Sequence, residues 1–310
     1  PPERPNLTRP PAPKTAAGAP DPAKLTGHVV FVSERHGHKD VLRMRPDGSD
    51  VERLTHGPHD SYVGPSVGVK LLLIESDADG ERIVLHGKEG SLGPRSRYAR
   101  GPSWLPDGSG FVMESDAEGF RDLFLVALDG TTTKLTDEAK GSFEPDVSPD
   151  GKTVAFASPR TGDAEIFSMS LGDKAGDAAA EVQRLTWSPG EDAAPAWSPD
   201  GATIAFVSSR RGVREVFLMS PSGGQPRPLR AEPAEQDIST FSWSPSGSHV
   251  AIAQKHDGGS TVAIVAVASG ESVTASKGKW VDEHPSWSPD GEYVVFASTR
   301  DDHHAEIYRM

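Results

Sequence analysis

The chain contains no cysteine. That excludes disulfides, thiolate metal sites and cysteine nucleophiles, and it leaves the redox compartment open. No apolar run approaches eighteen residues, so no membrane-spanning segment is expected. Hydrophobic residues make up 35% of the 310 and aromatic residues 7%. This is low for a helical enzyme but sufficient for a β-fold of short buried strands. No stretch repeats apolar residues at helical spacing. Basic residues are in deficit, 32 against 45 acidic, for a formal charge of −13. An acidic surface repels nucleic acid and anionic lipid and favours cations or basic partners; the same charge also keeps a protein soluble.

Residues 1–25 hold eight prolines and few large apolar groups. Such a segment cannot form a packed core and reads as a Pro-rich linker or tether. Residues 26–310 are expected to form one domain. Within them one short pattern returns: "PSWLPDGSGFVM" at Pro102, "PDVSPDGKTVAF" at Pro145, "PAWSPDGATIAF" at Pro195, "FSWSPSGSHVAI" at Phe241 and "PSWSPDGEYVVF" at Pro285. The turn glycines Gly108, Gly151, Gly201, Gly247 and Gly291 lie 43, 50, 46 and 44 residues apart. A period of that length with β-type content indicates propeller blades.

Each unit divides into four strands. From Pro195 these are "PAWS" (A), "ATIAFVS" (B), "EVFLMS" (C) and "PRPLR" (D), joined by tight turns and one loop. Proline opening a turn and glycine closing it suit β-turns, and the alternating β-branched and aromatic runs suit pleated strands. The unit from Gly27 lacks strand A, the unit from Tyr62 is degenerate, and the last unit stops after strand C. The expected fold is therefore an all-β propeller of four-stranded blades. Seven blades are expected, closed by the two termini so that few strand edges stay open. Six blades is the alternative, if an end unit is not a true blade.

The pattern PxWSPDGxxIAFxSxRxGxxEIYxMxxDGxxxxLT resembles the PD40 repeat of TolB-like β-propellers over residues 27–310. The resemblance implies a ring with a central channel and a periplasmic or exported setting. There TolB-like proteins bind other proteins of the cell envelope. A lipoprotein tether would require a lipidated cysteine upstream of Pro1. The resemblance does not imply catalysis, because this scaffold carries many functions.

Repeated residues in repeat proteins hold units together. Trp104, Trp197, Trp243 and Trp287 are expected to pack between blades. Arg160 with Glu165, Arg210 with Glu215 and Arg300 with Glu306 are expected to bridge the B–C hairpins. Variation gathers on the face carrying the D–A and B–C connections. Its residues give the expected ligand-binding mouth: Asp60, Tyr62, Arg100, Glu144, Trp187, Asp192, Asp237, Asp282 and His284. A ring of carboxylates would focus negative potential and draw a cationic ligand or a basic protein partner. Alternatively, these aspartates cap loop N–H groups. His36, His38, His56, His59, His303 and His304 come from the two chain ends, which ring closure would bring together near Asp60, Asp301 and Asp302. They form a candidate site for a divalent cofactor such as Zn, Cu, Ni or Ca.

"GPSVG" at Gly64 fits G-x-S-x-G, but no helix follows Ser66, so the nucleophile-elbow reading fails. "DGKT" at Asp150 lacks the first glycine and the helix of a phosphate loop. The expected function is a non-enzymatic binding scaffold. The alternatives are a metal-binding propeller or a metal-dependent, lyase-like enzyme resembling oligogalacturonate lyases.

Overall fold

The computed structural model describes residues 27–172, 181–232, 235, 237–274, 278–300 and 305–310. The tether expected at residues 1–25 lies outside them. Every regular element among the described residues is a β-strand. The strands form seven antiparallel sheets, blades 1 to 7, covering residues 29–53, 60–96, 99–134, 143–184, 192–228, 238–274 and 282–309. Blades 2 to 6 have four strands in consecutive order; blades 1 and 7 show three. Blade 7 meets blade 1 where Arg309, 2% exposed, donates from Nη1 to the Pro46 carbonyl at 3.1 Å. Seven blades in a ring closed by the two ends are what the repeat predicts.

The recurring residues explain the recurring geometry. In Ser148-Pro-Asp-Gly, Ser148 Oγ donates to Asp150 Oδ1 at 2.6 Å, and Thr153 N donates back to Ser148 Oγ at 3.0 Å. Gly151 takes φ 74°, a left-handed conformation that costs glycine little. The same hydroxyl–carboxylate contact recurs at Ser198–Asp200 and Ser288–Asp290, both at 2.6 Å.

The core lies between neighbouring sheets. One cluster joins Leu72, Ile83 and Leu92 of blade 2 to Trp104, Phe111 and Phe124 of blade 3. The tryptophans fasten blade to blade as expected. Each indole N–H donates to a carbonyl of the preceding inner strand: Trp104 to Pro65 at 3.0 Å, Trp197 to Asp146 at 3.1 Å, Trp243 to Ala196 at 3.1 Å and Trp287 to Ser242 at 3.2 Å. Burying a ring as large as Trp104 removes roughly 150–250 Å² from water, worth about 4–6 kcal/mol.

All six inner strands A among the described residues carry a bulge: Asp60–Val67, Ala99–Trp104, Phe143–Val147, Asp192–Trp197, Ile238–Trp243 and Asp282–Trp287. Five of the bulges contain a proline, which has no N–H to give to a ladder and is tolerated where pairing is already broken. The residue before that proline is left-handed in four blades: Gly101 (φ 56°), Glu144 (φ 54°), Ala194 (φ 50°) and His284 (φ 55°).

Candidate functional site

The D–A connections and the B–C loops lie on one face, where the inner strands begin. A Ser-x-Arg pair ends strand B in blades 1, 4, 5 and 7. In each, the arginine Nε donates to the serine Oγ, at 2.9 Å for Arg35, 3.0 Å for Arg160, 2.7 Å for Arg210 and 2.8 Å for Arg300. The last three lie over two core rings each; Arg210 is 5.3 Å from the Phe206 centroid and 4.7 Å from that of Phe217.

From there Arg210 reaches Asp192 at 2.7 Å and Arg300 reaches Asp282 at 2.9 Å. Both carboxylates are 0% exposed. Asp192 and Asp282, expected on an open mouth, are instead buried anchors at the starts of two inner strands. The expected hairpin bridges are overturned as well. Glu165 pairs with Arg184 at 2.7 Å and accepts from Thr186 at 2.6 Å, while Glu215 pairs with Arg211 at 2.8 Å. Arg160 donates to Ser142 Oγ at 2.9 Å. In blade 4 the reason is direction: the arginine curls inward toward strand A, whereas the glutamate opening strand C faces strand D.

Asp60 accepts the Lys39 N–H at 2.9 Å and Asp237 accepts the Arg214 N–H at 2.8 Å. Each fixes the B–C loop of the preceding blade, the loop-capping alternative for these residues. Glu144 is exposed, although its Oε2 accepts the Ala194 N–H of the next blade at 2.7 Å. His284 is exposed on the same face. Trp187 is 65% exposed, with the Arg184 guanidinium 5.4 Å from its ring. Tyr62 accepts from Lys39 Nζ at 3.1 Å. Arg100 is bound to Glu81, its Nε 3.0 Å from both carboxylate oxygens. The expected mouth residues thus divide into buried anchors, loop caps and a smaller exposed group.

Among the described residues the candidate histidines reach no common centre. His36 and His38 lie 3.1 and 3.3 Å from the buried Asp40 carboxylate, and His59 lies 3.8 Å from Asp77. His56 lines a groove of about 450 Å³ between blades 1 and 2, beside His86. His303, His304, Asp301 and Asp302 lie outside the described residues. Among the described residues no three His, Asp or Glu side chains come together to hold a metal. Ser66 lies within an inner strand that continues into a hairpin, so the G-x-S-x-G match spans the bulge and end of that strand in blade 2 rather than a strand-to-helix turn.

Three features were missed in the sequence. Asp146, on the inner strand of blade 4, accepts from Ser103 Oγ at 3.1 Å and from Trp197 N at 2.7 Å. Burial pushes its carboxyl up to about 6 despite these bonds. Its signal was visible: "PDV" stands where "P-x-W" recurs. Glu81 and Glu114 are buried carboxylates, 5% and 2% exposed. Tyr98, Arg121 and Phe143 stack beside them, Arg121 lying 4.3 Å from the Tyr98 ring and 4.7 Å from the Phe143 ring.

Residues 174–310 match the family model described as the TolB beta propeller domain, PD40. A protein TolB homolog from Chlorobium luteolum is 30% identical over 152 residues, 47% of this chain and 34% of that protein. A Tol-Pal system protein TolB from Anaeromyxobacter dehalogenans is 27% identical over 188 residues, 57% of this chain and 42% of that one. The chain thus matches less than half the length of these relatives. Among solved structures, a puromycin hydrolase mutant superposes with a TM-score of 0.72 at 20% identity, covering 91% of this chain and 50% of that one. That likeness is one of fold. Repeat pattern, seven-bladed ring and family match agree: the chain is a seven-bladed β-propeller, and its residues 174–310 match the PD40 model of the TolB beta propeller domain.

Proposed function

We propose that this propeller is a non-enzymatic scaffold of the cell envelope that recognises a protein partner at the D–A mouth of its channel. The observation that carries this reading is the set of left-handed, non-glycine residues at the inner-strand bulges. Glu144 and His284 hold a costly conformation and are exposed on this face. Such strain persists where the fold over-determines it, and it clusters at ligand clamps. Loops and bulges on a rigid ring also suit recognition. The name of a curated relative supports a Tol-Pal-type protein as the partner, and the resemblance to TolB implies an exported, periplasmic location. A cationic ligand is less well supported, because Asp192 and Asp282 are neutralised by arginines.

The test is calorimetric titration of the full chain with the Pal-type protein from the same cell. Wild type should bind, and Glu144→Lys with His284→Glu should weaken binding at least tenfold while lowering Tm by only a few degrees, since Glu144 gives up one exposed bond to the Ala194 N–H. Equal affinity for the double variant would refute the placement. No binding by wild type would refute the Tol-Pal reading.

A further inference from the structure

The charge on the D–A face is not spread evenly. Across blades 1 to 4, cations alternate with aromatic rings. Lys39 Nζ lies 4.9 Å from the Tyr62 ring centroid. Arg100 lies 5.2 Å from the Tyr98 ring, and Arg121 lies 4.3 Å from the same ring and 4.7 Å from Phe143. These six side chains come from the B–C loop ends and inner-strand starts of four successive blades. Nothing in the repeat requires them, since the equivalent strand ends of blades 5 and 7 carry the Arg–Asp anchor instead.

The arginines are held from below. Glu81 grips Nε and Nη2 of Arg100, and Glu114 accepts from Arg121 Nη2 at 2.9 Å. Glu114 also accepts the Glu144 N–H at 3.1 Å, which ties the cluster to the bulge of blade 4. The side chains of Arg100 and Arg121 remain 48% and 38% exposed, and among the described residues neither Nη1 has a protein partner. Arg97 is exposed beside them, likewise with no partner among the described residues. A guanidinium offers five N–H donors in a fixed plane. Here each plane is already fixed by a ring and a buried carboxylate, so little side-chain entropy is lost when a further acceptor arrives.

We propose that this strip is a docking surface for an extended acidic segment of a partner polypeptide. Its separate carboxylates would meet the free edges of Arg97, Arg100 and Arg121 and the ammonium of Lys39. Its backbone and apolar atoms would lie on Tyr62, Tyr98 and Phe143. Charge complementarity selects the occupant. Buried glutamates neutralise two of the four cations and the exposed Glu34 lies 3.9 Å from a third, Lys39, so the strip presents separated donors rather than a dense positive field. Spaced carboxylates fit that pattern, whereas a continuous phosphate backbone is repelled by the net charge of −13. This deepens the binding reading above and names the chemistry of the partner; it needs no Tol-Pal protein to be tested.

The experiment uses the full chain and a fluorescent twelve-residue glutamate-rich peptide containing two phenylalanines. A lysine-rich peptide of the same design and inorganic polyphosphate serve as comparisons. The glutamate-rich peptide should bind, with an affinity that falls as salt rises. Arg97→Glu, at an exposed and unpartnered position, should fold normally and weaken binding about tenfold, roughly 1.4 kcal/mol. Arg121→Lys keeps the charge but loses the planar stack, and it should weaken binding with an unchanged salt slope. Asp129→Lys, on the opposite face, should bind like wild type. Equal binding of the lysine-rich peptide, tighter binding of polyphosphate, or no effect of Arg97→Glu would each overturn the proposal. Failure of the Pal-type titration with peptide binding intact would overturn only the earlier reading.

Discussion

Asp192→Ala tests whether the acidic residues of the D–A face are anchors or bait. Asp192 is 0% exposed and its Oδ2 lies 2.7 Å from Arg210, whose side chain is 18% exposed. Truncating one partner of a buried pair leaves the other charge uncompensated, a loss of roughly 3–5 kcal/mol. Arg210 keeps its bond to Ser208 and its contacts with Phe206 and Phe217, which places the expected loss at about 3 kcal/mol, the low end. Asp237→Ala offers the contrast. Its carboxylate accepts one exposed N–H, that of Arg214, so its removal should cost at most about 1 kcal/mol. At roughly 2–4 °C per kcal/mol for chains of 150–250 residues, Asp192→Ala should lower Tm by about 6–12 °C and Asp237→Ala by at most about 2–4 °C. Calorimetric unfolding at neutral pH measures both. Arg210→Ala and the double variant complete a cycle whose coupling should reach at least about 1 kcal/mol. Equal losses for the two aspartates, or zero coupling, would show that the Arg210 pair is not an anchor.

Asp146→Asn should alter the pH dependence of stability. The folded carboxyl titrates at about 6, above the unfolded value of about 3.9. The native state therefore binds the proton more tightly. The stability this contributes is complete below about pH 4 and lost as pH rises through 6. The variant should match wild type near pH 4 and exceed it at pH 7 by on the order of 2 kcal/mol; chemical denaturation at both values checks this, and a constant difference would refute it. Trp243→Phe removes the N–H bonded to Ala196 and orphans that carbonyl, at a cost of about 1–2 kcal/mol in urea unfolding. His284→Gly relieves a left-handed residue and should stabilise by about 1 kcal/mol, read as a rise in Tm; a fall would mean that the imidazole makes a contact worth more than the strain.

The sequence by itself determined the architecture. Seven units, their turns and the stacking tryptophans follow from local rules repeated in register, because a blade needs little more than alternating strands, Pro and Gly at turns, and one large ring per interface. Ring closure was also legible, since units missing complementary strands at the two ends leave room for each other. What the tertiary structure alone decided is which acidic residues are free. Asp192 and Glu144 both read as D–A carboxylates in sequence. One is buried against Arg210, whose position eighteen residues away is local only in the folded hairpin, and the other stays exposed. The histidines show the same limit: ring closure brings blades together, but side-chain direction sends His36 and His38 to Asp40 and His59 to Asp77. The cation–aromatic strip needed four blades side by side. Its members lie up to 104 positions apart, from Lys39 to Phe143; Tyr98 and Arg100 are neighbours in sequence, but Lys39 meets Tyr62 and Arg121 meets Phe143 only across blades, where sequence distance carries no information.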